Sequence, residues 1–224
     1  MSRFFLRITP LLITVLTLGS LAQAKTIYSN IGRTPDGSDH AGVFGPLYDS
    51  FSTGITGGVL EDLKLLLSTD DPNSSGVVRI VLFADNSGEP GARITRLAKL
   101  RESTLTLDPE IYDINLRNNP LLEPNTRYWI GLRSGPNTLW AWSSDVRGAG
   151  VIGEYFSNSE GTFDNDTFGP YQMSVSITTA VPETDSLILL ISASALIGSV
   201  LSVLQNNSKS HHRRARWRDR NGNT

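Results

Sequence analysis

Apolar residues recur at every second position through most of this chain, which is the pattern of β-strands with one buried face. Three runs show it most regularly, and their inward-pointing residues are predicted to be Tyr112, Ile114 and Leu116; Tyr128, Ile130 and Leu132; and Tyr171, Met173, Val175 and Ile177. Each run predicts a half-buried antiparallel strand. A chain with this period is expected to fold by pairing its strands into sheets.

Two further segments, 59–68 and 77–84, are more continuously apolar and are predicted to be central strands. Turn-forming clusters rich in Gly, Asn, Asp and Pro separate the strands at 70–76, 85–91 and 122–126. No segment ahead of residue 187 has a helical period over two turns with caps. The prediction is an all-β domain, an antiparallel β-sandwich of jelly-roll-like topology.

Residues 1–24 have the plan of a secretory signal peptide. Arg3 and Arg7 precede an apolar stretch from 8 to 21, and Ala22-Gln23-Ala24 forms a small-x-small ending. An uncleaved anchor helix is the alternative, but Pro10 and that ending favour cleavage. Residues 25–180 are then predicted to form one exported domain, large enough for its own core.

The C-terminal 44 residues have the order of a membrane anchor. After a linker at 181–186, the uncharged run 187–204 is 18 residues long. As a helix it would measure about 27 Å, close to the thickness of a bilayer's hydrocarbon core. Residues 205–224 form a basic tail, predicted to stay in the cytoplasm beside anionic lipid. Its topology-determining residues are Lys209, Arg213, Arg214, Arg216 and Arg218.

Charge is divided along the chain although the total is only −2. Residues 25–180 contain 12 Lys and Arg against 19 Asp and Glu, a net charge of −7. This acidic balance argues against a nucleic acid partner. The chain has no cysteine, which excludes disulfides, thiol nucleophiles and thiolate metal sites. No cofactor is expected.

The ordered motifs of the domain resemble the choice-of-anchor R family of exported bacterial domains. The resemblance runs from about Tyr48 to Ile177 and is carried by Phe51-Ser52-Thr53, Leu65-Leu66-Leu67-Ser68, the segment Val81 to Gly91 with its Asp-Asn-x-Gly-x-Pro-Gly hairpin, Tyr128-Trp129-Ile130 and Trp140-Ala141-Trp142. Such domains occur ahead of different surface-sorting signals. The resemblance implies a fold and an envelope location, and leaves the ligand open.

The C-terminal segment resembles the PEP-CTERM sorting signal, in which a Val-Pro-Glu-Pro box precedes a hydrophobic helix and an arginine cluster. Val181, Pro182 and Glu183 match the box, whereas Thr184 replaces its second proline and the tail is longer than usual. The resemblance implies processing by an exosortase-type membrane enzyme near the box. The two departures leave a plain single-pass anchor as an equal alternative.

Aromatic residues of the domain suggest contacts to an extracellular polysaccharide. Trp140 and Trp142 are two apart and share one face of a strand, so both are predicted to be buried or both available. Tyr155 lies in the segment 143–170, predicted to be a long loop at the rim of such a site. Core packing is the more common role for such tryptophans, and glycan contact is the alternative.

Catalysis is the competing interpretation. The domain's only histidine, His40, has no recognisable triad partner, and a solvated loop position explains it better. A glycoside hydrolase with paired carboxylates remains the alternative function. Its candidate residues are Trp129, Trp140, Trp142 and an acid such as Asp145 or Glu154. Asp164 and Asp166 are weak calcium candidates, since turns use the same residue types.

Overall fold

Extended backbone dominates the residues that the computed structural model describes, which are 23–133, 135–166 and 169–179. Helix in these ranges is limited to one 3₁₀ turn, Glu102–Thr104. The strands in chain order are β1 (Gln23–Ser29), β2 (Gly37–His40), β3 (Leu47–Ser52), β4 (Gly58–Thr69), β5 (Val77–Asp85), β6 (Pro90–Arg101), β7 (Glu110–Asp113), β8 (Leu121–Leu122), β9 (Arg127–Arg133), β10 (Thr138–Trp142), β11 (Tyr155–Asn158), β12 (Gly161–Asp164) and β13 (Met173–Thr179).

These strands form two antiparallel sheets. Sheet A has the order β1-β13-β4-β10-β2, with β7 and β8 paired to β4 as well. Sheet B has the order β12-β11-β3-β9-β5-β6. Some neighbours are consecutive hairpins, as with β5 and β6 or β11 and β12. Others come from distant parts of the chain, as where β1 pairs with β13 and β3 with β9, so long-range pairing connects the two ends of the domain.

The inner faces of both sheets contribute to one hydrophobic core. Sheet A supplies Leu63 and Val175, sheet B supplies Ile80 and Ile130, and all four side chains are fully buried in the same cluster. Tyr28 of β1 also donates a hydrogen bond across the sheets to Asp49 Oδ2 of β3, at 3.2 Å. Two antiparallel sheets around one core are consistent with a β-sandwich.

Most of the predicted inward-pointing residues are buried. The confirmed sets are Tyr128, Ile130 and Leu132 of β9 and Tyr171, Met173, Val175 and Ile177 at β13. The apolar segments 59–68 and 77–84 are confirmed as β4 and β5, two of the longest strands. In the third run, Ile114 is buried but Tyr112 and Leu116 are only partly so, and the strand β7 ends at Asp113, within the run.

One predicted loop was wrong, and one strand extends past the predicted start of the domain. The segment 143–170 is not one long loop, because the hairpin of β11 and β12 forms within it and pairs with β3. At the other end, β1 begins at Gln23, two residues before the predicted domain boundary at Lys25.

In the part of the chain that the structure describes, no helix has the length and apolarity needed to cross a membrane. The predicted span at 187–204 lies outside the described residues. So do residues 1–22 of the predicted signal peptide, the box from Val181 to Thr184 and the basic tail.

Candidate functional site

A cleft of about 250 Å³ opens where the end of sheet A meets the outermost hairpin of sheet B. We call it the edge cleft. β2 and β10 of sheet A form one wall, and the β11–β12 hairpin forms the other. Its lining residues are Asp39, Trp142, Phe156, Asn158, Glu160, Phe163 and Gly169.

Two glycines position Trp142 in this cleft. Gly37 pairs with Trp142 in the β10–β2 ladder, and a Cβ atom there would lie 2.6 Å from the indole ring. A Cβ at Gly169 would also lie 2.6 Å from the ring. Because both neighbours lack a side chain, the indole fits between them and stays partly exposed. Its orientation is therefore fixed by packing before any ligand arrives.

Trp140 does not reach the edge cleft, which corrects the prediction that it contacts a glycan. Its side chain is fully buried, and its indole stacks on Tyr171 with ring centroids 4.8 Å apart. Its Nε1 donates a hydrogen bond to the Gln172 carbonyl at 3.0 Å. Trp140 and Trp142 share a face, but the cleft opens only at the strand end. The expectation that both are buried or both available was therefore wrong.

The apolar wall of the edge cleft is a cross-strand aromatic pair. Phe156 of β11 is directly opposite Phe163 of β12, and their rings stack with centroids 5.2 Å apart. Phe156 also meets Tyr171 edge to face at 5.7 Å, which anchors the hairpin to the core. Both phenylalanines lie in the segment 143–170 that the sequence predicted as the rim of a glycan site, but their pairing was not predicted, because the hairpin itself was not predicted.

Polar groups in the edge cleft are held by the phenol of Tyr171. Its hydroxyl donates to Asp39 Oδ2 at 2.7 Å, and Asn158 Nδ2 lies 3.5 Å from the same hydroxyl. Burial, with a further contribution from Asp39, raises the pKa of Tyr171 far above its ordinary value. The phenol therefore remains a donor at any physiological pH, and the Asp39 carboxylate is held in one orientation.

Tyr155 lies on the outer face of sheet B, next in sequence to a residue of the cleft but on the opposite side of its strand. The Arg127 guanidinium carbon is 4.6 Å from the centre of its ring, a cation–π contact. The structure thus separates Tyr155 from Trp142.

The acids named for a catalytic pair also lie outside the edge cleft. Glu154 is buried and accepts hydrogen bonds from Ser50 Oγ at 2.7 Å and Arg127 Nε at 2.9 Å. Hydrogen bonds from Arg147 hold the pKa of the Asp145 carboxyl well below its usual range. Both carboxylates are therefore engaged as structural acceptors.

The remaining aromatic and histidine candidates also have structural partners. Trp129 is fully buried and donates its Nε1 hydrogen to Asp85 at 2.8 Å. His40 is partly buried at the end of β2, with its Nε2 3.6 Å from Asp70 Oδ2. The histidine lies on a strand rather than in the loop that the sequence suggested.

The calcium candidates form a turn. Asp164 Oδ1 accepts a hydrogen bond from the Asp166 backbone N–H at 2.8 Å, the bond of an Asx turn. Among the described residues, no group of three or more His, Asp or Glu side chains is placed to hold a metal ion.

Comparison with known proteins does not assign this chain to a family. No protein-family model matches this chain, and no curated protein is similar to it at a significant level. The edge cleft and the sequence signals at the two ends are the features that bear on function.

Proposed function

We propose that this chain is an exported protein of the bacterial cell envelope, carrying a non-catalytic β-sandwich of jelly-roll-like topology that binds a glycan. Residues 1–24 would direct export, and residues 187–204 would form a transmembrane helix that holds the domain outside the cytoplasm. The resemblance to choice-of-anchor domains and to PEP-CTERM signals supports this location. Release by an exosortase-type enzyme near Val181 to Thr184 is the alternative to a permanent anchor.

The observation that carries the binding function is the edge cleft. A partly exposed tryptophan, an aromatic wall and a few fixed polar groups are the usual elements of a small-ligand site. Its volume of about 250 Å³ lies just below the common range of such sites, which begins near 300 Å³. The cleft is therefore expected to accept one sugar ring, such as the end of a chain, rather than a long oligosaccharide.

A polysaccharide pull-down with the full chain in mild detergent tests this function. Using neutral polysaccharides, we expect Trp142→Ala to weaken retention about tenfold, a loss near 1.4 kcal/mol. Tyr155→Ala is the matched control, because Tyr155 is an aromatic residue outside the cleft. Equal retention of the Trp142→Ala variant and the unmodified chain would refute the assignment. Loss confined to Tyr155→Ala would move the site to the outer face of sheet B.

Glycoside hydrolysis is kept as the second function because Asp39 and Glu160 both line the edge cleft. Asp39 already accepts a hydrogen bond from the Tyr171 hydroxyl, and Glu160 is exposed at the β11–β12 turn. A general acid has to stay protonated, and burial favours that state, so the exposed position of Glu160 does not favour this role. Reducing-end release from the bound polysaccharide that disappears in both Asp39→Asn and Glu160→Gln would establish hydrolysis.

A further inference from the structure

The edge strand β6 has an arginine-lined groove that the proposed function does not use. The groove has a volume of about 370 Å³ and is lined by Arg93, Thr95, Arg96, Arg117 and Asn118. We call it the arginine groove. β6 is at one end of sheet B, and β12, which borders the edge cleft, is at the other. The two sites therefore lie at opposite edges of this sheet.

Two chain segments bring the arginines together. In the β5–β6 ladder, Arg93 is opposite Phe83 and Arg96 is opposite Val81. Arg117 comes from the segment after β7, where its backbone N–H donates to the Leu97 carbonyl at 2.8 Å. That bond fixes the backbone of Arg117 beside β6, so the convergence of the three side chains follows from the fold.

The positive charge of the arginine groove is not neutralised by the domain itself. In the described ranges, no carboxylate forms an ion pair with Arg93, Arg96 or Arg117. The Nε atom of Arg96 is buried and has no hydrogen-bond partner. A buried donor without a partner costs free energy unless a ligand satisfies it. Guanidinium groups match the planar fork of an oxyanion, so a ligand with carboxylate groups would fit this groove.

Further cations continue from the groove along the outer face of sheet B. In register, Lys99 is opposite Arg79, and Arg79 is opposite Arg133. Neighbouring strands lie about 4.8 Å apart, so these three cations form a row across the strands that an anionic polymer could follow. A ligand with repeated anionic groups fits this arrangement better than a single small anion.

The aromatic residues of this face favour an acidic polysaccharide over single-stranded nucleic acid. Sites for single strands use exposed rings on which bases stack. Phe83 is only 4% exposed and Trp129 is fully buried, so the rings next to β6 offer no stacking platform. The partly exposed rings of this face, Tyr48 and Tyr155, lie on β3 and β11, three and four strands away from β6. The guanidinium groups remain as the recognition elements.

We propose that the arginine groove and the adjacent cationic row bind an acidic polysaccharide, with its carboxylate groups pairing with Arg93, Arg96 and Arg117. This second site would be independent of the neutral-glycan site in the edge cleft. The domain's net charge of −7 does not oppose it, because the interaction depends on the local surface rather than on the total.

The test is titration of the full chain with polygalacturonate, compared with neutral dextran, inorganic phosphate and oligothymidylate. The exposed residues Arg93 and Arg117 are each changed to Gln, which leaves the core untouched. Lys25→Gln on sheet A is the control for loss of one positive charge. We expect polygalacturonate binding that weakens as salt rises and becomes about tenfold weaker in each arginine variant. Lys25→Gln should bind like the unmodified chain.

Several outcomes would overturn this proposal. Equal weakening by Lys25→Gln would indicate general attraction to positive charge. Tighter binding of oligothymidylate than of polygalacturonate would assign the groove to nucleic acid. Equal affinity for inorganic phosphate would show that the groove binds single anions rather than a polymer. Loss of polygalacturonate binding in Trp142→Ala would also contradict the proposal, because the two sites would then not be independent. Loss of dextran retention alone in that variant would support it.

Discussion

Asp49 is the most unusual single residue of the core. It is fully buried on β3 between the two sheets, where it accepts hydrogen bonds from Tyr28 and from Asn165 Nδ2. Burial raises the pKa of the Asp49 carboxyl well above its ordinary value, and these two hydrogen bonds only partly oppose that shift. The folded protein therefore favours protonated Asp49, so stability is lost as pH rises through the folded-state pKa.

Asp49→Asn tests this residue because it keeps the size and removes the titration. We expect the free energy of unfolding of the variant to decline less between about pH 4, near the unfolded pKa, and neutral pH. Urea denaturation of the full chain at several pH values measures the slope. An unchanged slope would contradict the account of Asp49.

Glu102 is a buried carboxylate with the opposite behaviour. It accepts hydrogen bonds from Ser74 Oγ at 2.6 Å, the Asn137 backbone N–H at 2.9 Å and Thr138 Oγ1 at 2.9 Å. Burial by itself would raise the pKa of Glu102, but these bonds together lower it. Its ionised form therefore stabilises the fold above the unfolded pKa, and that contribution is lost as pH falls through the folded pKa.

Glu102→Gln is expected to lower the free energy of unfolding by about 1–3 kcal/mol at pH 7, since three donors converge on the carboxylate. The loss should shrink toward pH 3. Glu123→Gln is the control, because Glu123 is exposed and only its backbone forms hydrogen bonds in the described part of the chain. A loss of the same size at every pH would contradict the assigned charge.

At the scale of elements, the packing of β9 requires a glycine at position 131. A Cβ at Gly131 would lie 2.7 Å from both Phe83 and Tyr48, whose rings pack edge to face above the strand. We expect Gly131→Ala to destabilise the protein by about 1–3 kcal/mol through overpacking. In thermal unfolding, the double variant with Tyr48→Ala should lose less than the sum of the single losses. Strict additivity would show that the rings do not cause the strain.

Strand length explains in part which elements the sequence predicted. β13 and β9 have 7 residues each, so alternation identified both their type and their inward face. β2, β11 and β12 have 4 residues each, which is too short for a reliable period. Their pairing also depends on residues far away in sequence, as where Phe156 is opposite Asp49. One exception is β6, which has 12 residues but was not predicted, because three register shifts in its pairing with β5 interrupt the alternation.

The edge cleft was only partly predictable for the same reason. Trp142 could be proposed from its residue type and position, but Asp39, Phe156 and Phe163 lie on the three short strands. Alternation also assigned Trp140 and Trp142 to one face of the strand but did not give how far each is buried. The burial of each side chain depends on where the sheet ends, which is a property of the whole fold.

At the scale of the molecule, export makes a prediction about the mature N-terminus. Mass spectrometry of the native protein should find a chain that begins at Lys25. Cleavage there would remove Gln23 and Ala24 from β1 but leave Lys25 to Ser29 available to pair with β13. Recovery of the chain with Met1 intact in the cytoplasm would contradict export. The same spectrum distinguishes an intact Thr224 from cleavage near Val181 to Thr184.

The central claim is that Trp142, rather than the buried tryptophans, contacts a glycan. Indole N–H resonances of the full chain report on this directly, once Trp142→Phe identifies the Trp142 signal. On titration with an oligosaccharide from the retained polysaccharide, the Trp142 signal should shift most. The signals of Trp129 and Trp140, whose indoles already donate to Asp85 and Gln172, should change little. A stationary Trp142 signal in the presence of bound ligand would contradict the account.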